Sequence, residues 1–358
     1  MQEVMPHGGN IGRYQKEWGW RREDLIDFSA NLNPLGPPES VLQAIKQSLS
    51  RIQDYPDPYG WEVLYALSDK WRLPTNRFLL GNGAAELIFL VMRLLRPKRI
   101  VTVSPAFREY EQAAKLEGAE IIRVPLLAES DFSVQSETLR EALSDADLLV
   151  LANPNNPTGR CVEQTVLRQL LEHAARNSIW LMVDEAFLDF LPDDHARSVI
   201  ADVDLYEKLI VIRSMTKFYA IPGIRIGYLA ANEAIIAKLR ELQIPWSVNT
   251  PAQAAAVAAL ADQTFADSTF QWLLTERPFL TEGMKRLGFH VVPSETNFLL
   301  LSKPGLQITE LWPQLAAKGI FVRDCRSFAG LNETYFRIAI RSRQENNRLL
   351  QALSDVLG

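Results

Sequence analysis

Between about residue 78 and residue 230, short apolar runs alternate with stretches whose apolar residues recur at helical spacing. No other feature constrains the fold as tightly. The strand candidates are "RIVTVSP" (99–105), "AEIIRVPL" (119–126), "ADLLVLANP" (146–154), "IWLMVDEAF" (179–187), "KLIVIRS" (208–214) and "IRIGYLAA" (224–231). Between them lie "FREYEQAAKLEG" and "EQTVLRQLLEHAARN", which read as amphipathic helices. Strands alternating with helices predict an α/β fold with a mainly parallel central sheet covered by helices. In such sheets ligands gather at the carboxyl ends of the strands. "SP", "NPNNPTG", "DEAF" and "SMTK" all fall at such ends, so one site can collect them.

After about residue 250 the pattern changes. "HVVPSETNFLLLSK", "IFVRDC" and "YFRIAIRS" are strand-like, and "ITELWPQLAAKG" and "RQENNRLLQALSDVL" are helical, which predicts a smaller α+β domain. The first fifty residues, rich in Pro, Gly and Asn, read as an arm packed over something else. The expected division is an arm and part of the small domain over 1–45, a large domain over 46–249 and a small domain over 250–358.

With 47% hydrophobic and 23% charged residues among 358, the chain has globular composition and can bury a sizeable core. A net charge of -5 and scattered arginines argue against a nucleic-acid partner. Cys161 and Cys325 have no partners at metal-ligand spacing, so no metal site is expected, and two cysteines fit a reducing cytoplasm. The opening twenty residues lack the apolar core of a signal peptide. "ELIFLVMRLL" is too short and too interrupted to span a bilayer, so no membrane partner is expected.

Lys217 stands just past the apolar run "KLIVIRS". On local grounds it is either a solvated strand end or a functional amine. "NPNNPTG" (Asn153 to Gly159) reads first as a turn, because each of its residue types favours one. A rigid turn at the mouth of a parallel strand can also aim the Asn156 amide into a site. Asp184 is either a helix-capping acid with a solvated neighbour, Glu185, or an ionised partner for a buried cationic nitrogen. Lys217 follows the next strand, so acid and amine can face one pocket.

Together these motifs resemble the fold-type I pyridoxal-phosphate enzymes, the aspartate-aminotransferase superfamily, over nearly the whole chain and in the family's order. The resemblance implies pyridoxal 5'-phosphate as cofactor, with Lys217 as its catalytic anchor and Asp184 on the pyridine nitrogen. It implies that Asn156 donates to the 3-oxygen and that Ser214, Thr216 and Arg225 bind the phosphate. The backbone N–H groups of Ala84 and Ala85, in "GNGAAE", join that cradle at a helix start. Tyr110 matches the aromatic that stacks on the ring. Tyr55 matches a residue lent by a second subunit, which implies a homodimer with shared sites. A lysine must be neutral to react with the cofactor, and burial beside the Arg225 cation favours that form.

The superfamily leaves the reaction open. "HGGN" (7–10) and "DFSANLNPLGPP" (27–38) resemble the threonine-phosphate decarboxylase family of cobalamin biosynthesis, near relatives of the histidinol-phosphate aminotransferases. That likeness implies a small phosphorylated amino-acid substrate and decarboxylation, with transamination of histidinol phosphate as the alternative. His7, Gly8 and Asn31 are then expected to close over the substrate. Arg323 and Arg337 match anion binders of the small domain, with Asn156 beside them, and a guanidinium fork suits phosphate or carboxylate. Arg341 and Arg343 read as a solvated face. Phe187 stands where aminotransferases of this group carry a tyrosine donor, either as a change in cofactor electronics or as a packing substitution. Two other patterns fail on context. "SMTK" fits S-x-x-K, but no KTG element follows. "GNGAAE" nears G-x-G-x-x-G, but Glu86 replaces the third glycine.

Overall fold

A computed structural model of the chain describes residues 7–358, so the first six residues of the expected arm lie outside the described residues. A seven-stranded sheet forms the centre. Its spatial order is Phe78–Gly81, Gly227–Ala231, Leu209–Ser214, Trp180–Asp184, Leu148–Ala152, Arg99–Ser104 and Glu120–Pro125. Only Gly227–Ala231 runs antiparallel to its neighbours. The two sheet faces sort by residue parity, as strand geometry requires. Val101, Leu149, Leu151, Val183 and Val211 pack on one face, and Ile100, Leu148, Val150, Met182 and Ile212 on the other. Both faces are covered, which is why these strands read as continuous apolar runs.

Two strand expectations change. Phe78–Gly81 is a strand that the reading omitted, too short for a pattern and set in register by pairing with Gly227–Ala231. "IRIGYLAA" forms a strand only from Gly227, because Arg225 takes a left-handed backbone with φ 60°.

The carboxyl-terminal part holds a four-stranded antiparallel sheet in the order Arg323–Asp324, Tyr335–Ala339, Phe298–Ser302, His290–Val291. Helices Ile308–Ala316 and Arg343–Leu357 pack with it, the latter opened by a Ser342/Glu345 capping box. "IFVRDC" divides between two sheets. Ile320–Phe321 pairs in parallel with Ile26–Asp27, which ties the amino-terminal segment to this part of the chain. Helices Thr250–Ala261 and Gln263–Arg286, capped by Asn249 and Asp262, connect the two parts. Among the described residues no helix is long and apolar enough to cross a membrane.

Candidate active site

Four neighbouring parallel strands deliver the site at their carboxyl ends. Trp180–Asp184 ends on Asp184, and Leu148–Ala152 runs into the Asn153–Gly159 turn. Leu209–Ser214 ends on Ser214, three residues before Lys217. Arg99–Ser104 leads through Phe107 into the Arg108–Leu116 helix, which carries Tyr110. One cavity is lined by Ala84, Ala85, Phe107, Tyr110, Asn156, Asp184, Phe187, Ser214, Thr216, Lys217 and Arg225. A second is lined by His7, Gly8, Asn31, Phe107, Glu109, Asn156, Phe187, Lys217, Arg323, Ser327, Phe328 and Arg337, among others. Asn156, Phe187, Phe107 and Lys217 belong to both, so the two cavities meet at the lysine.

The Lys217 amine donates to Ser214 Oγ at 3.0 Å, and Ser214 Oγ lies 2.9 Å from Thr216 Oγ1. Burial, opposed by Asp184 and helped by Arg225, brings the Lys217 ammonium down to about 8. The chain therefore keeps a far larger share of this amine neutral at pH 7 than an ordinary lysine has. Asp184 is buried, and its carboxyl is raised above the ordinary range by that burial, against opposing contributions from Tyr110, Lys217 and the Ala186 amide. Tyr110 Oη donates to Asp184 Oδ2 at 2.6 Å, and the Ala186 amide donates to Oδ1 at 2.9 Å. A carboxylate aimed by two donors in a dry site suits a protonated ring nitrogen, which would restore the lost solvation.

Asn156 is singled out by its neighbours. Asn153 Oδ1 accepts from the Val162 amide, and Asn155 Nδ2 donates to Pro105 O and Thr158 Oγ1. Both shape the turn. Asn156 Oδ1 accepts from Arg337 Nη1, which leaves its amide nitrogen to serve the cofactor cavity.

The loop before the Ala84–Leu95 helix is built for an anion. Gly83 has φ 81°, and a Cβ there would lie 2.4 Å from Arg225 Nη2; a Cβ on Gly227 would lie 2.8 Å from the Ala84 nitrogen. The close backbone approach sets the Arg225 guanidinium beside a helix start, whose first N–H groups lack intrahelical partners. Ser214 and Thr216 add hydroxyls from the other side. This cradle, a buried lysine whose ammonium is held low and a buried aspartate together fit pyridoxal phosphate.

In the second cavity Arg323 and Arg337 are directly opposite each other on paired antiparallel strands, both buried. Like charges in that register repel. Arg337 donates to Asn156 Oδ1 and to Ser29 O at 2.9 Å, both neutral acceptors, and its Nε has no partner. Burial, with the Arg323 charge adding to it, pushes Arg337 down to about 9. Arg323 donates to Ser327 Oγ at 2.6 Å and is likewise lowered by burial. Two such guanidiniums favour an anion between them. Asn31 Oδ1 is buried without a partner in the same wall. Gly8 is required by contact, because a Cβ there would fall 2.2 Å from Ser29 O.

Several features lay beyond the sequence reading. Asn33 is buried and its side chain is fully engaged: its backbone N–H donates to Lys217 O at 3.1 Å, and its side chain donates to Phe218 O and Thr269 Oγ1. Its Oδ1 accepts from Leu35 N. It thereby ties "DFSANLNP" to the turn that holds the lysine, a contact no spacing rule reveals. Tyr110 carries a hydrogen-bonding role besides its place in the cavity wall. Glu185 is not a solvated neighbour. It is fully buried and accepts from Arg213 at 2.9 Å, while Arg213 also reaches Asp189 and Asp194 on the sheet face away from Ser214. Arg341 and Arg343 are not merely solvated either: they pair with Glu345 and Glu276. Tyr55 lies outside its own chain's cavities, 79% exposed and stacked on Trp246 with centroids 4.5 Å apart.

The fold and site define an enzyme class built around a lysine-anchored, phosphate-bearing ring. The aminotransferase class I and II family matches residues 23–353, and the chain belongs to that family. It is 40% identical to threonine-phosphate decarboxylase of Salmonella typhimurium over 98% of this chain and 96% of that one. It is 33% identical to a histidinol-phosphate aminotransferase of Symbiobacterium thermophilum, covering all of this chain and 97% of the relative. Among solved structures it is similar to L-threonine-O-3-phosphate decarboxylase of Porphyromonas gingivalis, with a TM-score of 0.81, 27% identity and coverage of 92% and 98%.

Proposed function

We propose that the protein is a pyridoxal-phosphate-dependent decarboxylase that converts O-phospho-L-threonine to (R)-1-amino-2-propanol phosphate and CO₂, in cobalamin biosynthesis. The observation that carries this reading is the in-register pair Arg323 and Arg337, set in a cavity that opens on Lys217, in a chain similar over its length to threonine-phosphate decarboxylase. When bound, the cofactor supplies an electron sink for the pair released at the substrate α-carbon. Asp184, steered by Tyr110, holds the positive ring nitrogen. Ser214, Thr216, Arg225 and the Ala84 and Ala85 amides hold the phosphate, and Asn156 the 3-oxygen. The arginines would bind the substrate's anions and so fix the orientation of its α-carbon, which decides the bond that breaks. The carboxylate would leave as CO₂, and Lys217 Nζ, which lines both cavities, would deliver one proton to the carbon that bore it. Phe187, packed edge-on against Phe298 at 5.0 Å, offers no hydroxyl to the ring oxygen.

Carboxyl-labelled substrate in deuterated water tests the reading. The label should leave as CO₂ and one solvent deuterium should enter the product carbon. Label retained in a keto acid would mean transamination of the substrate offered and so favour the second reading, an aminotransferase of the histidinol-phosphate kind, which rests on the likeness to those enzymes.

The same reading includes a homodimer. Tyr55, Ile52, Tyr59, Trp61, Tyr65, Ile244 and Trp246 are all exposed. So many large apolar side chains at the surface are what a subunit interface explains. Tyr55 then reaches the cofactor phosphate of a second copy.

A further inference from the structure

Glu109 sits where a carboxylate is least expected, in the wall of a cavity that presents two guanidiniums. It is only 7% exposed, so its charge is largely dry. Oε1 lies 2.8 Å from His7 Nε2, while Oε2 is buried with no hydrogen-bond partner among the described residues. A carboxylate only accepts, so Nε2–H is the donor and the imidazole is held in one orientation, leaving the Nδ1–H of the doubly protonated ring to face an anion. His7 itself is half-exposed, with its ring centroid 6.3 Å from that of Phe107. Nothing else holds the ring as firmly. Glu109 follows Phe107 by two residues and precedes Tyr110, so one helix start serves Asp184 with one side chain and His7 with the next.

We propose that Glu109 is a positioning residue for the substrate phosphate: it latches His7 over the cavity so that the imidazole completes an anion site with Arg323 and Arg337. The proposal rests on the phosphorylated substrate argued above. It makes a prediction opposite in sign to simple electrostatics. Removing a negative charge from an anion site should tighten phosphate by Coulomb attraction alone. Removing the latch should loosen it.

The test uses holoenzyme and four proteins: wild type, Glu109→Gln, His7→Ala and the double variant. Steady-state constants for O-phospho-L-threonine are measured, together with the Kd of inorganic phosphate by titration calorimetry. Glu109→Gln should raise KM and the phosphate Kd by roughly tenfold, the scale of one charge-assisted hydrogen bond. Its kcat should stay within about twofold, because the contact exists equally in ground and transition states. His7→Ala cuts the same contact from its exposed side, and the double variant should be no weaker than His7→Ala alone. Tighter or unchanged phosphate binding in Glu109→Gln, or additive losses in the double variant, overturns the proposal. If wild type releases no CO₂, the decarboxylase reading fails, and the phosphate Kd series still decides the role of Glu109 by the same criteria.

Discussion

Lys217 should capture its cofactor with a pH dependence that no ordinary lysine shows. An ordinary lysine titrates at 10.5, and burial with the Arg225 charge brings this one to about 8 against the pull of Asp184. At pH 7 an ordinary lysine is neutral about 0.03% of the time, and this one roughly 10%, a gain of about 300-fold in the reactive form. Cofactor-stripped protein mixed rapidly with pyridoxal phosphate, and followed by the absorbance of the lysine-bound cofactor, measures the effect. The attachment rate should climb about tenfold per unit at low pH and level off above about 8, whereas that of a simple alkylamine under the same conditions keeps climbing. Asp184→Asn removes the charge that holds the value up and should move the break to lower pH. Arg225→Ala should move it higher. The linked effect on folding has a definite sign. As pH falls from 10.5 to about 8 the unfolded chain takes up a proton that the folded apo-protein refuses, so apo-protein stability declines across that interval. A rate that kept climbing toward pH 10.5 would refute the claim that burial prepares this amine.

Tyr110→Phe removes the 2.6 Å hydrogen bond to Asp184 while keeping the ring. Losing one donor to a buried carboxylate costs about 1.5–3 kcal/mol, so kcat should fall roughly ten- to hundredfold with KM little changed. Arg323→Ala and Arg337→Ala should each lower kcat/KM by roughly thirtyfold or more, the consequence of about 2–5 kcal/mol of anion binding, while the cofactor absorbance persists. Lys217→Ala and Tyr55→Ala subunits, each impaired alone, should regain activity on mixing; no recovery despite proven subunit exchange contradicts sites shared between subunits.

The chemistry of the site was legible because it needs particular atoms at strand ends. Lys217, Asp184, Asn156 and the Gly81–Glu86 loop each follow or flank an apolar run, and their residue types are hard to replace. Arg323 and Arg337 were legible as residues but not as a pair, because fourteen positions of chain separate two guanidiniums that strand pairing brings face to face. What stayed hidden depends on contacts distant in sequence. Asn33 looks like one more turn residue until Lys217 O and Thr269 are seen beside it. Glu109 looks like a helix-start acid until His7 arrives from 102 residues upstream. Glu185 reads as solvated because nothing local announces Arg213 on the next strand. The four-residue strand Phe78–Gly81 escaped, and "IFVRDC" was legible as strand but not as divided between two sheets, because pairing, not periodicity, decides both.

The central claim is that this site removes a carboxylate and does not move an amino group. Purified holoenzyme is offered O-phospho-L-threonine in one vessel, and histidinol phosphate with 2-oxoglutarate in another. CO₂ and aminopropanol phosphate are followed in the first, glutamate in the second. The account predicts one CO₂ for each aminopropanol phosphate formed, with glutamate at trace level. Rapid glutamate formation without CO₂ release would contradict it.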